Sequence, residues 1–243
     1  MIALLLNSGR GTRMGDETKT HPKCMTQLDA QDTIISHQVR LLTACGVTEA
    51  VVTTGPFAEL LQEHLESLHS GMHFTYVSNP RYAETNYIYS MYLAREELKG
   101  QDVISLHGDL VMTESVMRTL TASNVSMVVT DSTLPLPEKD FKARLADGRV
   151  KALGIDQFGD DCAACQPAYK WLEKDFSRWM AEISKFVAKD EIKCYAENAF
   201  NAAWQDIPLY PMDVKGQLCG EIDNMEDKAY ICARFAKEVR NNA

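Results

Sequence analysis

Leu4-Leu5-Leu6-Asn7-Ser8-Gly9-Arg10-Gly11-Thr12-Arg13-Met14-Gly15, followed closely by His21-Pro22-Lys23, decides how this chain is read. The apolar run predicts a buried strand from Ile2 to Leu6. It ends in a loop whose glycines, Gly9 and Gly11, let the backbone turn sharply and aim N–H groups at an anion. Arg13 and Lys23 add fixed positive charge. Such a loop suits a nucleoside triphosphate held for attack at its α-phosphorus. It is not a P-loop, because no Gly-Lys-Ser/Thr follows. It also departs from the dinucleotide fingerprint, which has glycine where this chain has Met14.

Working outward, strand and helix alternate. Helical apolar spacing covers Thr33 to Cys45, with Gly46 placed as a C-terminal cap. Strands are predicted at Ala50–Thr54, Phe74–Val77, Val103–Leu106 and Ser126–Thr130, and helices at Phe57–Leu68, Tyr87–Leu98 and Thr113–Leu120. This rhythm implies an α/β fold: a Rossmann-like, mostly parallel twisted sheet with helices on both faces. Ligands then bind along the edge where the strands end. After Asp131 the pattern changes. Phe141–Leu145 and Arg149–Ile155 flank Asp147-Gly148 as a hairpin. Trp171–Val187, Tyr195–Phe200 and Met225–Val239 read as helices. We expect a single domain over residues 1–243, with a nucleotide half to about 130 and a small hairpin and helical acceptor lobe from 131.

The 243 residues carry a formal net charge of -9 and are 45% hydrophobic. That balance gives no reason to expect nucleic acid or an anionic membrane as a partner. Neither a signal peptide nor a membrane span is expected. The 7 cysteines, odd in number and scattered, suit reduced thiols and a cytoplasmic location. Cys162-Ala163-Ala164-Cys165 lacks the second pair that a zinc site requires.

Two carboxylates stand out. Asp109 follows Gly108 at the end of an apolar strand, and Asp223 ends Gly220-Glu221-Ile222-Asp223 just before a helix. Each suits a helix or turn cap. Together, at strand ends facing one cleft, they suit Mg²⁺, which takes one or two protein carboxylates plus phosphate oxygens.

These motifs, in this order, resemble the sugar-nucleotidyltransferase-like superfamily, whose loop is commonly Gly-x-Gly-Thr/Ser-Arg followed by Pro-Lys. Thr85-Asn86-Tyr87-Ile88-Tyr89-Ser90, Gly108-Asp109 and Glu221-Ile222-Asp223 extend the likeness to cytidylyltransferases for phosphocholine-like substrates. His21-Pro22-Lys23-Cys24-Met25, Thr53-Thr54-Gly55-Pro56-Phe57 and Leu136-Pro137-Glu138-Lys139-Asp140-Phe141-Lys142 resemble the bacterial 2-aminoethylphosphonate cytidylyltransferases. Leu6-Asn7-Ser8 departs from the Ala-Ala common in the superfamily.

The resemblance implies a fold of the nucleotide-diphospho-sugar transferase type and CTP as donor, with Mg²⁺ held by Asp109 and Asp223. Arg13 and Lys23 would be catalytic. Leu6, Asn7, Ser8, Gly9, Gly11, Thr12, Thr85, Asn86 and Ser90 would line the nucleotide pocket. The acceptor would be a small zwitterionic phosphonate or phosphate. Lys139 and Lys142 are candidates for its anionic end, and Asp131, Glu138, Asp140 or Glu197 for a primary ammonium. Tyr169, Trp171, Tyr195 and Trp204 leave an aromatic cage for a trimethylammonium open. The expected product is CMP-2-aminoethylphosphonate, for tailoring surface glycans or lipids. Phosphocholine or sugar-1-phosphate transfer and a non-catalytic nucleotide-binding module are the alternatives. A homodimer, and fusion to a transaminase as known in this family, stay open.

Overall fold

Side-chain alternation sets the layers. In β1 (Ile2–Asn7), Leu4 packs with one buried cluster, and Ala3 and Leu5 pack with another on the opposite face. The Ala3/Leu5 face is covered by α1 (Ile34–Ala44), α2 (Ala58–Ser67) and α4 (Glu114–Thr121), through Ile35, Val39, Leu61, Leu65 and Val116. The Leu4 face is covered by α3 (Tyr87–Ala94), α5 (Glu173–Ala188) and α6 (Ala196–Ala203), through Ile88, Met91, Trp179, Ile183 and Phe200. The structure, a computed structural model, describes residues 1–240. No helix among them is long and apolar enough to cross a membrane.

The remaining strands are β2 (Glu49–Thr54), β3 (His73–Ser78), β4 (Val103–His107), β5 (Leu110–Met112), β6 (Met127–Asp131), β7 (Lys142–Ala146), β8 (Arg149–Gly154), β9 (Cys162–Trp171), β10 (Tyr210–Asp213) and β11 (Cys219–Glu221). The main sheet runs β10-β6-β9-β4-β1-β2-β3, with β7 and β8 branching from β9. Strands β1, β2, β3 and β4 are parallel to their neighbours in that set, as are β6 and β10. The expected mostly parallel sheet with helices on both faces is therefore present.

The sequence reading missed β9. It lies antiparallel between β4 and β6, two strands consecutive in the five expected from the first half. Cys162 and Cys165, both free thiols, belong to this strand. Its Pro167 sits where the register against β6 slips: Val128 pairs with Tyr169 but Val129 pairs with Gln166. Proline is tolerated inside a sheet at such a bulge, where its missing N–H breaks no ladder bond. The expected hairpin is β7–β8, turning through Asp147 and Gly148, both with positive φ. The helix expected from Trp171 starts at Glu173, because Trp171 is the last residue of β9.

A third cluster sets the position of the second carboxylate. The short β5–β11 ladder pairs Leu110 with Glu221. Helix α7 (Met225–Phe235) packs Ile231 and Phe235 against Val111, Ile222 and Met14. Asn224 caps α7, accepting from the backbone N–H groups of Glu226 and Asp227. Asp223 is thereby fixed between a ladder and a capped helix.

Candidate active site

The C-terminal ends of β1 and β4 and the β11–α7 link open on one cleft of about 400 Å³. Gly11 adopts φ 64, a left-handed conformation that favours glycine. A Cβ there would also crowd the Lys23 Cβ at 3.2 Å. Gly108 is required for a different reason: a Cβ would stand 1.9 Å from the Asn7 Oδ1. The two strand ends thus close on each other, with Asn7 wedged between them. Its Nδ2 and Oδ1 are both buried without a hydrogen-bond partner, although it lines the cleft. A buried amide left unpaired costs roughly 1–3 kcal/mol per group, which a bound ligand would offset. At Gly9 a side chain would meet nothing within 4 Å, so the free space beside it faces the cleft.

The charged centre is built around Lys23. Its Nζ donates to Asp109 Oδ2 at 2.6 Å and to Asp223 Oδ1 at 2.5 Å. Arg13 donates to Asp223 Oδ2 at 2.6 Å. Burial alone would depress the Lys23 ammonium, but the two carboxylates override it and hold its pKa above the ordinary 10.5. Burial raises the Asp109 carboxyl, yet the charges of Lys23 and His107 bring it below 3.8. The second Asp109 oxygen, Oδ1, is buried and unpartnered. Two carboxylates converging on one cation, with an oxygen to spare, form a donor set that fits a hard divalent metal ion. Asp109, His107 and Glu221 also place one possible ligand atom each within 4.8 Å of one another.

Glu221 was not among the expected site residues, and neither was His107. They pair at 3.3 Å beside Asp109. Burial, then the charge of Asp109, push Glu221 up to about 7. The partnership with Glu221 outweighs burial and raises His107. A carboxyl raised in the fold binds its proton more tightly than in the unfolded chain. Its stabilisation is full below about 4.5 and is lost as pH rises through 7; the raised imidazole acts in the same direction. In EDTA-treated protein, Glu221→Gln should therefore flatten the fall in thermal midpoint between pH 5 and 8. Parallel melting curves of wild type and variant check this; an unchanged slope would assign the titration elsewhere.

Of the residues expected at the nucleotide, Leu6, Asn7, Ser8, Gly9, Gly11, Thr12, Thr85 and Asn86 line the cleft with Arg13, Lys23, Asp109 and Asp223. Ser90 is buried one layer behind, bonded to Ser8 Oγ at 2.6 Å and to Asn79 Nδ2 at 2.9 Å. Asn79 and Tyr82, absent from the sequence reading, also line the cleft. Asn79 was findable by the argument used for Asp109, since it follows the end of β3.

The acceptor candidates divide. Lys139 lines the cleft, with Asp140, Phe141, Ile155 and Tyr195 around it. Four others, Asp131, Glu138, Glu197 and Lys142, are not among its lining residues. Asp131 is buried and accepts from the Thr133 N–H and hydroxyl and from the Gly216 N–H, closing a loop. Glu197 is buried beneath the cleft wall, where the Tyr87 hydroxyl and, at 2.7 Å, the Tyr169 hydroxyl donate to it. Lys142 is fully buried, donating to the Pro137 carbonyl at 2.6 Å. Tyr169 and Trp171 stack in the core, so they form no cage. His21 bonds locally to its neighbour's carbonyl, as a structural histidine does.

A glycine loop at the end of β1, cationic side chains beside it and paired carboxylates facing them define a nucleotidyltransferase. Comparison with known proteins agrees. Residues 3–138, more than half of the chain, match the MobA-like NTP transferase domain, and the chain belongs to that family. It is 35% identical over 130 residues to CMP-5'-(3-aminopropyl)phosphonate synthase of Streptomyces rubellomurinus, covering 54% of this chain but only 20% of that protein. Choline-phosphate cytidylyltransferase of Streptococcus pneumoniae is 25% identical over 93% of this chain and 95% of its own. The inositol-1-phosphate CTP transferase from T. maritima has the same fold, with a TM-score of 0.78 at 20% identity over 98% and 97% of the two chains.

Proposed function

We propose that this protein is a cytidylyltransferase that joins the CMP part of CTP to 2-aminoethylphosphonate. The observation that carries the reading is the Lys23 ammonium held between Asp109 and Asp223 at the foot of the glycine loop. A phosphonate oxygen attacks the α-phosphorus; a new P–O bond forms and the bond to the bridging oxygen breaks. Pyrophosphate leaves with that electron pair. The attacking oxygen is already anionic, so positioning and charge neutralisation do most of the work. Backbone N–H groups of the loop and the Asn7 amide orient the nucleotide. Arg13 and Lys23 offset the charge gathering at phosphorus. Mg²⁺ held by Asp109 and Asp223 supplies further neutralisation of the triphosphate when bound.

Two things support an aminoalkyl acceptor: carboxylates, Asp140 and Glu221, in the cleft lining, and the aminopropylphosphonate product named for one relative. A primary ammonium donates hydrogen bonds to carboxylates, whereas a trimethylammonium prefers ring faces. Phosphocholine is the second reading, favoured by the Tyr87, Phe141 and Tyr195 rings lining the same cleft. Pyrophosphate release tests both, with CTP, UTP, ATP and GTP against 2-aminoethylphosphonate, phosphocholine and a sugar 1-phosphate. CTP with 2-aminoethylphosphonate should exceed every other pair in kcat/KM by at least about tenfold. Faster turnover of phosphocholine would transfer the assignment to it. CTP binding without release from any acceptor would leave a nucleotide-binding module.

A further inference from the structure

Lys142 opens β7 with a fully buried side chain. Burial lowers its pKa, and the charged or titratable groups facing it are Asp140, Asp156 and Cys162. An ammonium out of water is costly unless its donors are engaged. This one engages two separate links. It donates to the Pro137 carbonyl at 2.6 Å, in the link between β6 and β7. It also lies 4.1 Å from the ring centroid of Phe158, in the link between β8 and β9. Phe158 is 51% exposed, so packing alone does not hold it. Two residues along, on the same face of β7, Arg144 closes the second link on itself. It donates to the Phe158 carbonyl at 2.9 Å and to both Asp161 oxygens at 2.8 and 2.6 Å. Among the described residues, no hydrogen bond other than that from Lys142 reaches residues 134–140.

We propose that Lys142 is a positioning residue for the acceptor: its ammonium pins the β6–β7 link to the β8–β9 link. The first link carries Lys139, Asp140 and Phe141 into the cleft, and the second carries Ile155. Fixing one against the other sets the spacing between these two parts of the cleft lining. The pinning stands on geometry alone; its effect on an acceptor rests on the proposed cytidyl transfer.

Lys142→Met keeps the stem and removes the charge, and Lys142→Arg restores it. Amide hydrogen exchange is measured in free wild type and both variants, alongside KM for 2-aminoethylphosphonate and Kd for CTP. Lys142→Met should speed exchange across 134–140 by about tenfold or more and raise the acceptor KM by a similar factor. CTP affinity should stay within about twofold, and Lys142→Arg should recover most of both losses. Unchanged exchange with a raised KM would mean that the ammonium contacts the acceptor directly, overturning the pin. Unchanged exchange and KM would overturn it too, as would equal weakening of CTP and acceptor. Should Lys142→Met not fold, Phe158→Ala removes the exposed half of the pin and should speed exchange in the same segment; no change there sinks the proposal. If wild type turns over no acceptor, the exchange result still decides the pin, while cytidyl transfer itself has failed.

Discussion

Asp109→Asn is expected to reduce pyrophosphate release from CTP by at least about a thousandfold, a loss of roughly 4 kcal/mol of transition-state stabilisation. The change keeps the size and one acceptor oxygen, turns the other into a donor, and removes the charge on which both Lys23 and a divalent ion depend. Fold should survive, because the Asp109 backbone carbonyl still accepts from Ile222 at 3.0 Å and Lys23 still has Asp223. Metal binding should not survive. Titration with Mn²⁺, followed by electron paramagnetic resonance in the presence of CTP, should show the tight site lost in the variant. Near-normal turnover with intact Mn²⁺ binding would remove Asp109 from the metal site and transfer attention to His107 and Glu221.

Lys23→Met is expected to lower kcat by at least about a hundredfold through loss of neutralisation at the transferring phosphorus. It also has a signature in stability. The side chains of Lys23, Asp109 and Asp223 are 13%, 16% and 14% exposed, so removing the cation leaves Asp109 facing Asp223 largely out of water, with Arg13 still paired to Asp223. Breaking a buried pair from one side costs on the order of 3 kcal/mol. The sign with pH follows from Asp109, whose pKa in the fold lies below 3.8. Its contribution is present above the unfolded value and disappears as pH falls through the folded one. Wild type should therefore exceed Lys23→Met in unfolding free energy at pH 7, with the gap closing toward pH 3. Urea denaturation at both values measures it. A gap that persists in acid would locate the loss in the packing of the lysine stem.

The two acidic positions were readable because both follow strand ends that border the cleft of the glycine loop. Gly9, Gly11, Arg13 and Lys23 were readable because short spacing from a strand leaves them nowhere else to go. Charge without a known facing was less informative. Lys142, Glu197 and Asp131 are all ionisable residues in the later half, yet each points into protein and holds a carbonyl, tyrosine hydroxyls or backbone N–H groups. Strand β9 was hidden because Cys-Ala-Ala-Cys-Gln-Pro-Ala has little of the branched and aromatic character that marks a strand. A proline is out of place in an inner strand except at a bulge, and the register slips at this one. Its last residue, Trp171, was absorbed into the predicted helix that follows.

The place of β9 in the sheet has a consequence for how the chain is made. Strands β4 and β6 are complete by residue 131, but the strand that joins them ends at Trp171. A nascent chain that has reached β6 lacks the strand that joins it to β4, so both strands present unpaired edges. Such edges invite pairing with other chains. During synthesis the gap lasts until roughly forty more residues emerge, a few seconds at ordinary elongation rates. The interval ends when β9 joins β4 to β6, and the outer edge of β6 stays open until β10 follows, so a slowed ribosome or a chain truncated before Trp171 leaves these edges free to pair elsewhere.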